Sequence, residues 1–89
     1  MEINLPLVSV GIPTYNRPEG LRRTLDCITK QTYSNLEIIV SDNASPQTET
    51  EAVVRSFMVN DSRISYFRQP TNIGATNNFW FVLKKSIGE

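Results

Sequence analysis

The feature that most constrains the fold is an uninterrupted apolar run, Ile38-Ile39-Val40, inside the segment of residues 36–41. A strand with one face in water alternates apolar and polar residues, whereas a continuous run is typical of a strand covered on both faces. Residues 7–12 form a second segment rich in β-branched and apolar residues, and Pro13 closes it. Both segments therefore predict buried strands of a parallel sheet.

A polar loop and a helical pattern follow the first strand. Asn16 is predicted to cap the helix, Pro18 lies in its first turn, and Glu19 stands three residues after Asn16, as in a capping box. Apolar residues then recur at spacings of four and three through residues 18–30, which predicts an amphipathic helix.

The rest of the chain repeats this alternation. Ser45 and Pro46 are predicted to begin a second helix, as its N-cap and its first residue. A third strand is predicted at residues 64–67 and a third helix at residues 75–87. The third helix is predicted to turn the following side chains toward a core: Ala75, Phe79, Val82, Leu83 and Ile87. The aromatic cluster at residues 79–81 is interpreted as packing rather than as a surface for ligand stacking.

The order β-α-β-α-β-α predicts an α/β fold with one parallel sheet in the strand order 3-2-1 and helices on its faces, because crossover connections are right-handed. In a doubly wound sheet a fourth strand would pair with the free side of the first strand. We therefore interpret residues 1–89 as the N-terminal fragment of one longer domain, truncated before that strand. The bare edge predicts that the isolated fragment is marginally stable or self-associates through its first strand.

Composition excludes several classes of function. Nine basic and nine acidic residues cancel, so the chain lacks the basic surface of a nucleic-acid binder or a polybasic membrane anchor. The chain contains no histidine, which removes Ser–His and Cys–His catalysis. No apolar stretch approaches the ~18 residues of a membrane span. The single cysteine, Cys27, falls in a helical pattern and is interpreted as a small buried hydrophobic residue rather than a reactive thiol.

Three polar loops are predicted to meet at the carboxyl edge of the sheet: residues 13–17, 42–45 and 69–78. In open α/β sheets ligands bind outside this edge. Because the first and second strands are expected neighbours, the first two loops predict one crevice that binds a small molecule.

Asp42 is the strongest candidate in these loops because it directly follows the buried strand. A carboxylate there can accept hydrogen bonds from the N–H groups of a base or from ribose hydroxyls. The alternative is an aspartate that caps its own loop through an Asx-turn.

The first loop offers complementary groups. Tyr15 presents a flat face for a base, Thr14 and Asn16 present donors and acceptors, and Arg17 can bind a phosphate with two hydrogen bonds. The alternatives are that Asn16 only caps the helix and that Arg17 is only solvated.

The third loop precedes a helix N-terminus, where free backbone N–H groups favour a diphosphate. Asn77 and Asn78 are poor helix formers in the first turn of that helix, which suggests polar contacts. The first strand-to-helix turn contains no glycine before Gly20. A dinucleotide site of the G-x-G-x-x-G type is therefore rejected.

Four motifs together resemble the family 2 glycosyltransferases, which are inverting enzymes with the GT-A fold. They are VSVGIPTYNR at residues 8–17, QTYSNLEIIVSDNAS at residues 31–45, NIG at residues 72–74 and IGE at residues 87–89. The resemblance covers essentially the whole chain. It implies a three-layer, Rossmann-like part of a GT-A domain that binds the nucleotide of a nucleotide-diphosphate-sugar donor.

In that family the loop matching Thr14 and Tyr15 contacts the base, and the carboxylate matching Asp42 binds the base, commonly uracil, so a UDP-type donor is expected. The region matching residues 72–78 lies near the ribose and the diphosphate. Asn43 stands where many members have a second carboxylate, and residues 77–80 replace an Ala-Arg-Asn run. The predicted nucleotide-binding residues are Thr14, Tyr15, Asn16, Arg17, Asp42, Asn43, Asn72, Gly74 and Asn78.

The resemblance places the metal ligands and the catalytic base of the family beyond Glu89. Mg²⁺ or Mn²⁺ would neutralise the diphosphate leaving group and a carboxylate would deprotonate the acceptor hydroxyl. No catalytic or metal-binding residue is therefore predicted in this chain, which alone is expected to be inactive.

The intact protein is expected to transfer a sugar to an acceptor hydroxyl in bacterial-type surface polysaccharide or glycoconjugate assembly. It is expected in the cytoplasm, with peripheral attachment to the inner face of the membrane left open. The alternative is a non-catalytic interaction or regulatory module derived from the same fold.

Overall fold

Three strands alternate with three helices along the chain. The computed structural model describes residues 6–31, 33, 35–46 and 48–86. The elements are β1 (Val8–Thr14), α1 (Pro18–Thr29), β2 (Leu36–Asp42), α2 (Glu49–Met58), β3 (Ile64–Arg68) and α3 (Ala75–Lys85). Ile87, predicted at the end of the third helix, and the motif at residues 87–89 lie outside the described residues.

The sheet is parallel and ordered β1-β2-β3, which confirms the predicted order. Its register pairs Thr14 with Asp42 and Asp42 with Arg68. The carboxyl ends of all three strands therefore lie at one level and bring their following loops together. β1 continues through Pro13, two residues further than predicted, and proline is tolerated in a strand that is paired on one side.

β2 is buried on both faces, as its continuous apolar run predicts. Ile38 and Val40 belong to the main core, together with buried residues of α1, α2 and β3. Successive side chains of a strand point to opposite faces, so Ser41 lies on the other face, where it bonds Asn78 of α3. Helices therefore cover both faces of the sheet in three layers.

Gly11 permits a close approach between β1 and α3. A Cβ atom built on Gly11 would lie 2.1 Å from Cγ1 of Val82, well inside van der Waals contact. Val82 is itself buried, so the absence of a side chain at residue 11 allows α3 to pack onto the first strand.

The predicted buried side of α3 is right only for Val82, which is buried together with Asn78. Phe79, Trp80 and Leu83 are each about half exposed, and Ala75 is exposed as well, so the prediction is wrong for Ala75, Phe79 and Leu83. The helix is oriented by the Asn78 hydrogen bonds and by the Val82 contact, which turn a different stripe toward the sheet. Of the aromatic cluster at residues 79–81, Phe81 packs edge-on against Phe67 of β3, as predicted, but its two neighbours do not reach the core.

α1 begins at Pro18 as predicted, but its predicted N-cap, the predicted start of α2 and the predicted burial of the cysteine are wrong. Arg17 is the N-cap residue of α1, without a side-chain capping bond, because Asn16 adopts a left-handed conformation with φ 49°. α2 begins at Glu49, not at Pro46, because the Ser45 hydroxyl bonds Asp42 instead of a helix end. Cys27 is exposed, since it lies outside the stripe of α1 that packs on the core.

Candidate functional site

The three predicted loops meet at the carboxyl edge of the sheet. The backbone N–H of Asn43 donates to the carbonyl of Thr14 at 2.9 Å, and that of Gln69 donates to the carbonyl of Asp42 at 2.8 Å. The strand ladder therefore extends one residue past β2 and past β3. These two hydrogen bonds fix the positions at which the loops after β2 and β3 begin at the edge of the sheet.

Asp42 is held by three donors. Its Oδ1 accepts hydrogen bonds from the backbone N–H of Ser45 at 2.9 Å and from the Ser45 hydroxyl at 2.6 Å. Its Oδ2 accepts a bond from the Tyr66 hydroxyl at 2.8 Å. Only 1% of Asp42 is exposed. The loop-capping alternative is thus present in the structure, and one oxygen of the carboxylate also binds outside its own loop.

Ser45 joins the first loop to the second. Its hydroxyl accepts a bond from the backbone N–H of Asn16 at 2.7 Å while donating to Asp42, and its carbonyl accepts a bond from Nη2 of Arg68 at 3.1 Å. Asn16 and Ala44 both have positive φ, 49° and 61°. Left-handed conformations are uncommon outside glycine and cluster at functional sites, and these two flank the Ser45 hydroxyl.

Tyr66 lies on β3 and donates its hydroxyl proton to Asp42. Burial and the hydrogen bond to Asp42 raise the pKa of the Tyr66 phenol above its ordinary value, so the hydroxyl remains a donor at physiological pH. The Arg55 guanidinium lies 5.8 Å from the centre of the Tyr66 ring and is bonded to Glu51 at 3.0 Å. The ring is therefore packed between the core and α2.

Asn43 connects the end of β2 to the third loop. Its Nδ2 donates to Oδ1 of Asn72 at 3.0 Å, and its Oδ1 accepts a bond from the backbone N–H of Ile73 at 2.8 Å. Oδ1 of Asn72 also accepts a bond from the backbone N–H of Gly74, whose φ of 86° suits glycine. These side-chain amides shape the loop that leads into α3.

Asn78 ties α3 to β2. Its Oδ1 accepts a bond from the Ser41 hydroxyl at 2.6 Å, and its Nδ2 donates to the Ser41 carbonyl at 2.9 Å. The side chain is 2% exposed, so its amide is used within the protein. Asn77, by contrast, is exposed and bonds only the carbonyl of Ile73.

The end of β2 lies between two cavities. The first, of about 420 Å³, falls within the ~300–1,000 Å³ typical of small-molecule sites. Five of the predicted site residues line it: Thr14, Tyr15, Arg17, Asn43 and Asn78. Tyr15 is 45% exposed, so its side chain is available to a ligand. The second cavity, of about 280 Å³, is lined by Asp42, Ser45 and Arg68 together with residues at the start of α2.

The predicted residues therefore divide between the two cavities. Asp42 lines the second cavity and not the first, while Asn16, Asn72 and Gly74 line neither. Sequence reasoning did not predict Tyr66, Ser45 and Arg68 as parts of the site. Two features of the sequence could have indicated them: Arg68 ends the third strand, and Ser45 stands three residues after Asp42.

Within the described part of the chain, no three carboxylate, histidine or cysteine side chains cluster closely enough to hold a metal ion. None of the helices among the described residues has the length and apolarity needed to cross a membrane.

Comparison with known proteins supplies the family. The sequence profile described as glycosyl transferase family 2 matches residues 9–89. The chain belongs to glycosyl transferase family 2. The predicted resemblance is thereby confirmed.

Relatives of this family 2 chain are much longer than the chain itself. It is 41% identical over 63 residues to the GalNAc(5)-diNAcBac-PP-undecaprenol beta-1,3-glucosyltransferase of Campylobacter jejuni. This match covers 71% of this chain and 20% of that protein. It is 37% identical over 73 residues to WcaA of Escherichia coli K12, a glycosyl transferase named for colanic acid biosynthesis; the match covers 81% of this chain and 25% of that protein. The chain thus spans about a fifth to a quarter of these curated relatives.

A solved structure confirms the fold class. The mannosyltransferase PcManGT of Pyrobaculum calidifontis, in complex with GDP-Man and Mn²⁺, matches with a TM-score of 0.84 and 28% sequence identity. The match covers 94% of this chain and 25% of that chain. The family 2 chain therefore has the α/β architecture of part of a GT-A glycosyltransferase.

Proposed function

We propose that this chain binds the nucleotide of a nucleotide-diphosphate-sugar donor within a glycosyltransferase that transfers a sugar to an acceptor hydroxyl. The observation that carries the proposal is the meeting of three polar loops at the carboxyl edge of the sheet. There they surround a cavity containing Tyr15 and Arg17 and lie next to the buried Asp42 carboxylate.

In this proposal, the side chains that contact the nucleotide are those that offer an exposed ring or a hydrogen-bonding group to a ligand. The exposed Tyr15 ring stacks on a base, Thr14 bonds the nucleoside, and Arg17 binds a phosphate. Asp42, at the end of β2 next to this cavity, accepts a base N–H. Each of these groups supplies a chemistry that a nucleotide diphosphate requires.

The remaining predicted residues shape the site. Asn43, Asn72 and Asn78 use their side-chain amides on protein partners, Asn16 bonds Ser45 through its backbone N–H, and Gly74 provides the left-handed turn before α3. They hold the three loops at a fixed separation, and the N-terminal turn of α3 then offers backbone N–H groups to the diphosphate.

The finer features of the reaction belong to the same proposal. The donor is of the UDP type, and the intact enzyme is inverting and uses Mg²⁺ or Mn²⁺ held by residues outside this chain. The chain alone is inactive, and the acceptor belongs to surface polysaccharide or glycoconjugate assembly. Support comes from the names of the two bacterial relatives and from the Mn²⁺ of the mannosyltransferase neighbour.

Location and self-association complete the proposal. The intact protein acts in the cytoplasm or at the inner face of a membrane. Self-association through the free edge of β1 stays a prediction; β1 pairs only with β2 among the described residues.

The experiment compares two exposed aromatic rings. Tyr15 lines the first cavity, while Trp80, which is 51% exposed, lines neither cavity described above. Isothermal titration calorimetry of UDP and GDP on the purified protein should show Tyr15→Ala weakening nucleotide binding about tenfold, since a stacked base contributes ~1–3 kcal/mol. Trp80→Ala should leave the affinity unchanged. Failure of the unmodified protein to bind either nucleotide would overturn the proposed function.

A further inference from the structure

We infer that Ser45 is a positioning residue: its hydroxyl holds the peptide between Tyr15 and Asn16 and thereby sets the Tyr15 side chain in place for a nucleotide. The inference rests on the proposed nucleotide site and adds to it a residue outside the predicted binding set. Ser45 lines the second cavity and not the first. It therefore acts on a ligand of the first cavity through Tyr15 and not by contact.

Tyr15 and Asn16 form a short bridge between two anchored residues. Before them, the Thr14 carbonyl accepts a hydrogen bond from the backbone N–H of Asn43 at 2.9 Å, at the edge of the sheet. After them, the Arg17 carbonyl accepts a bond of 2.9 Å from a backbone N–H in the first turn of α1. The sheet and the helix fix the two ends of this bridge, and the direction of the peptide inside it needs a further constraint.

The Ser45 hydroxyl supplies that constraint. It accepts a hydrogen bond at 2.7 Å from the backbone N–H of Asn16, which belongs to the peptide that joins Asn16 to Tyr15. A peptide unit is planar, so holding its N–H restricts the rotation on both sides, namely ψ of Tyr15 and φ of Asn16. The φ of Asn16 is 49°, and such a conformation outside glycine persists only where the surrounding structure imposes it.

Ser45 is itself firmly held. It is 2% exposed, and its hydroxyl and its backbone N–H both donate to Oδ1 of Asp42, at 2.6 and 2.9 Å. Because the hydroxyl proton points toward the carboxylate, the lone pairs of the oxygen are left for the Asn16 N–H. Asp42 is 1% exposed, and its burial protects this arrangement. Ser45 therefore holds the first loop without any ligand reaching the buried carboxylate.

Loss of the Ser45 hydroxyl should release the first loop. The Asn16 N–H loses its acceptor, and φ of Asn16 relaxes toward the more common backbone regions. This change rotates the preceding peptide and moves the Tyr15 side chain with it. Tyr15 is 45% exposed, so its own packing does little to keep it beside the first cavity. A nucleotide then has to order the loop as it binds, which weakens its affinity.

The test compares serine variants in two backgrounds. Ser45→Ala removes the hydroxyl and Ser45→Thr keeps it. Ser56→Ala is the matched control, because the Ser56 hydroxyl bonds a carbonyl of its own helix and lines neither cavity. Ser45→Ala is also combined with Tyr15→Ala. Calorimetry measures the Kd of UDP or GDP, whichever the unmodified protein binds more tightly, and thermal melts verify folding. The amide resonance of Asn16 in NMR spectra reports on the hydrogen bond directly.

Ser45→Ala should raise the Kd about three- to tenfold, the range expected for one hydrogen bond, and should move the Asn16 amide proton to higher field. Ser45→Thr should restore both the Kd and the resonance, and Ser56→Ala should change neither. In the Tyr15→Ala background, Ser45→Ala should change the Kd by less than about twofold, because the ring on which it acts is gone. A general loss of stability would instead add to the effect of Tyr15→Ala.

The outcomes separate this inference from the proposed function. If a nucleotide binds but Ser45→Ala leaves its Kd unchanged, or raises it equally in both backgrounds, the inference is overturned and the nucleotide site stands. A folded Ser45→Thr protein that binds like Ser45→Ala overturns it as well. If neither nucleotide binds, the proposed function fails and the inference fails with it. If Ser45→Ala does not fold, Ser45→Cys takes its place with the same expectation, since a thiol is a weaker acceptor; an unchanged Kd overturns the inference.

Discussion

Replacing Gly11 with alanine tests the close approach of α3 to β1. The new Cβ would lie 2.1 Å from Cγ1 and 3.5 Å from Cβ of Val82, whereas carbon atoms in contact are separated by about 3.5–4.0 Å. Val82 must rotate or α3 must move by roughly 1.5 Å to restore that separation. Val82 is buried, so either movement disturbs the packing around it and lowers the free energy of unfolding.

The magnitude follows from the cost of overpacking, about 1–3 kcal/mol in the free energy of unfolding. At about 4–8 °C per kcal/mol for a domain of this size, Gly11→Ala should lower the Tm by roughly 5–20 °C. Differential scanning calorimetry measures the change. Gly20→Ala is the control, since its Cβ would meet only the Arg17 side chain at 3.8 Å and should be neutral or stabilising in a helix.

A double-mutant cycle locates the strain. Val82→Ala removes the methyl group that the new Cβ meets, so it should cost less in the Gly11→Ala background than in the unmodified protein. A Gly11→Ala variant that melts at or above the unmodified protein, or two substitutions whose effects simply add, would refute this account of the packing.

Two further predictions concern polar groups. Asn78→Ala should lower the free energy of unfolding by about 1–3 kcal/mol, because it removes both buried hydrogen bonds between Asn78 and Ser41, whereas the exposed neighbour Asn77→Ala should change it by less than about 0.5 kcal/mol; equal effects in chemical denaturation would contradict the assigned hydrogen bonds. Arg63 bonds Asp61 and lowers the pKa of that carboxyl below its ordinary value of 3.8. The stabilisation is therefore present above about pH 4 and is lost as the pH falls through the lowered pKa. Asp61→Asn should reduce the Tm at neutral pH and converge with the unmodified protein near about pH 2; a Tm difference independent of pH in calorimetry would exclude this ion pair as the cause.

The sheet could be predicted because its signals are local and have few alternatives. The run at residues 38–40 favours a strand covered on both faces, and right-handed crossovers favour one parallel sheet in which successive strands are neighbours. The position of Asp42 could be predicted for the same reason, since a residue at the end of a strand lies at the edge of the sheet.

The face of α3 could not be predicted from periodicity. Phe79 and Leu83 have the helical spacing of a core stripe, as do Asn78 and Val82, and the sequence does not say which stripe meets the sheet. The choice is made by contacts distant in sequence, namely the missing side chain at Gly11 and the two hydrogen bonds to Ser41.

The start of α2 and the partners of Asp42 were not predicted, for a related reason. Ser45 has the composition of an N-cap, but its hydroxyl is taken by a carboxylate and by a backbone N–H from another loop. The bond from Tyr66 spans 24 residues. Several donors compete for the same acceptor here, and they are distant in sequence. Which of them binds is decided only in the folded sheet, where the carboxyl ends of the strands lie side by side.

The Ser45 hydroxyl makes two hydrogen bonds at once, one accepted from Asn16 and one donated to Asp42. This pair of bonds limits which residues can evolve at position 45. The Asn16 N–H can only donate and the ionised Asp42 carboxylate can only accept, so the hydroxyl proton must point toward Asp42. Serine and threonine are the side chains of this length that both donate and accept strongly. Threonine is therefore the one replacement expected to survive selection, and alanine, cysteine or asparagine would break one link or both.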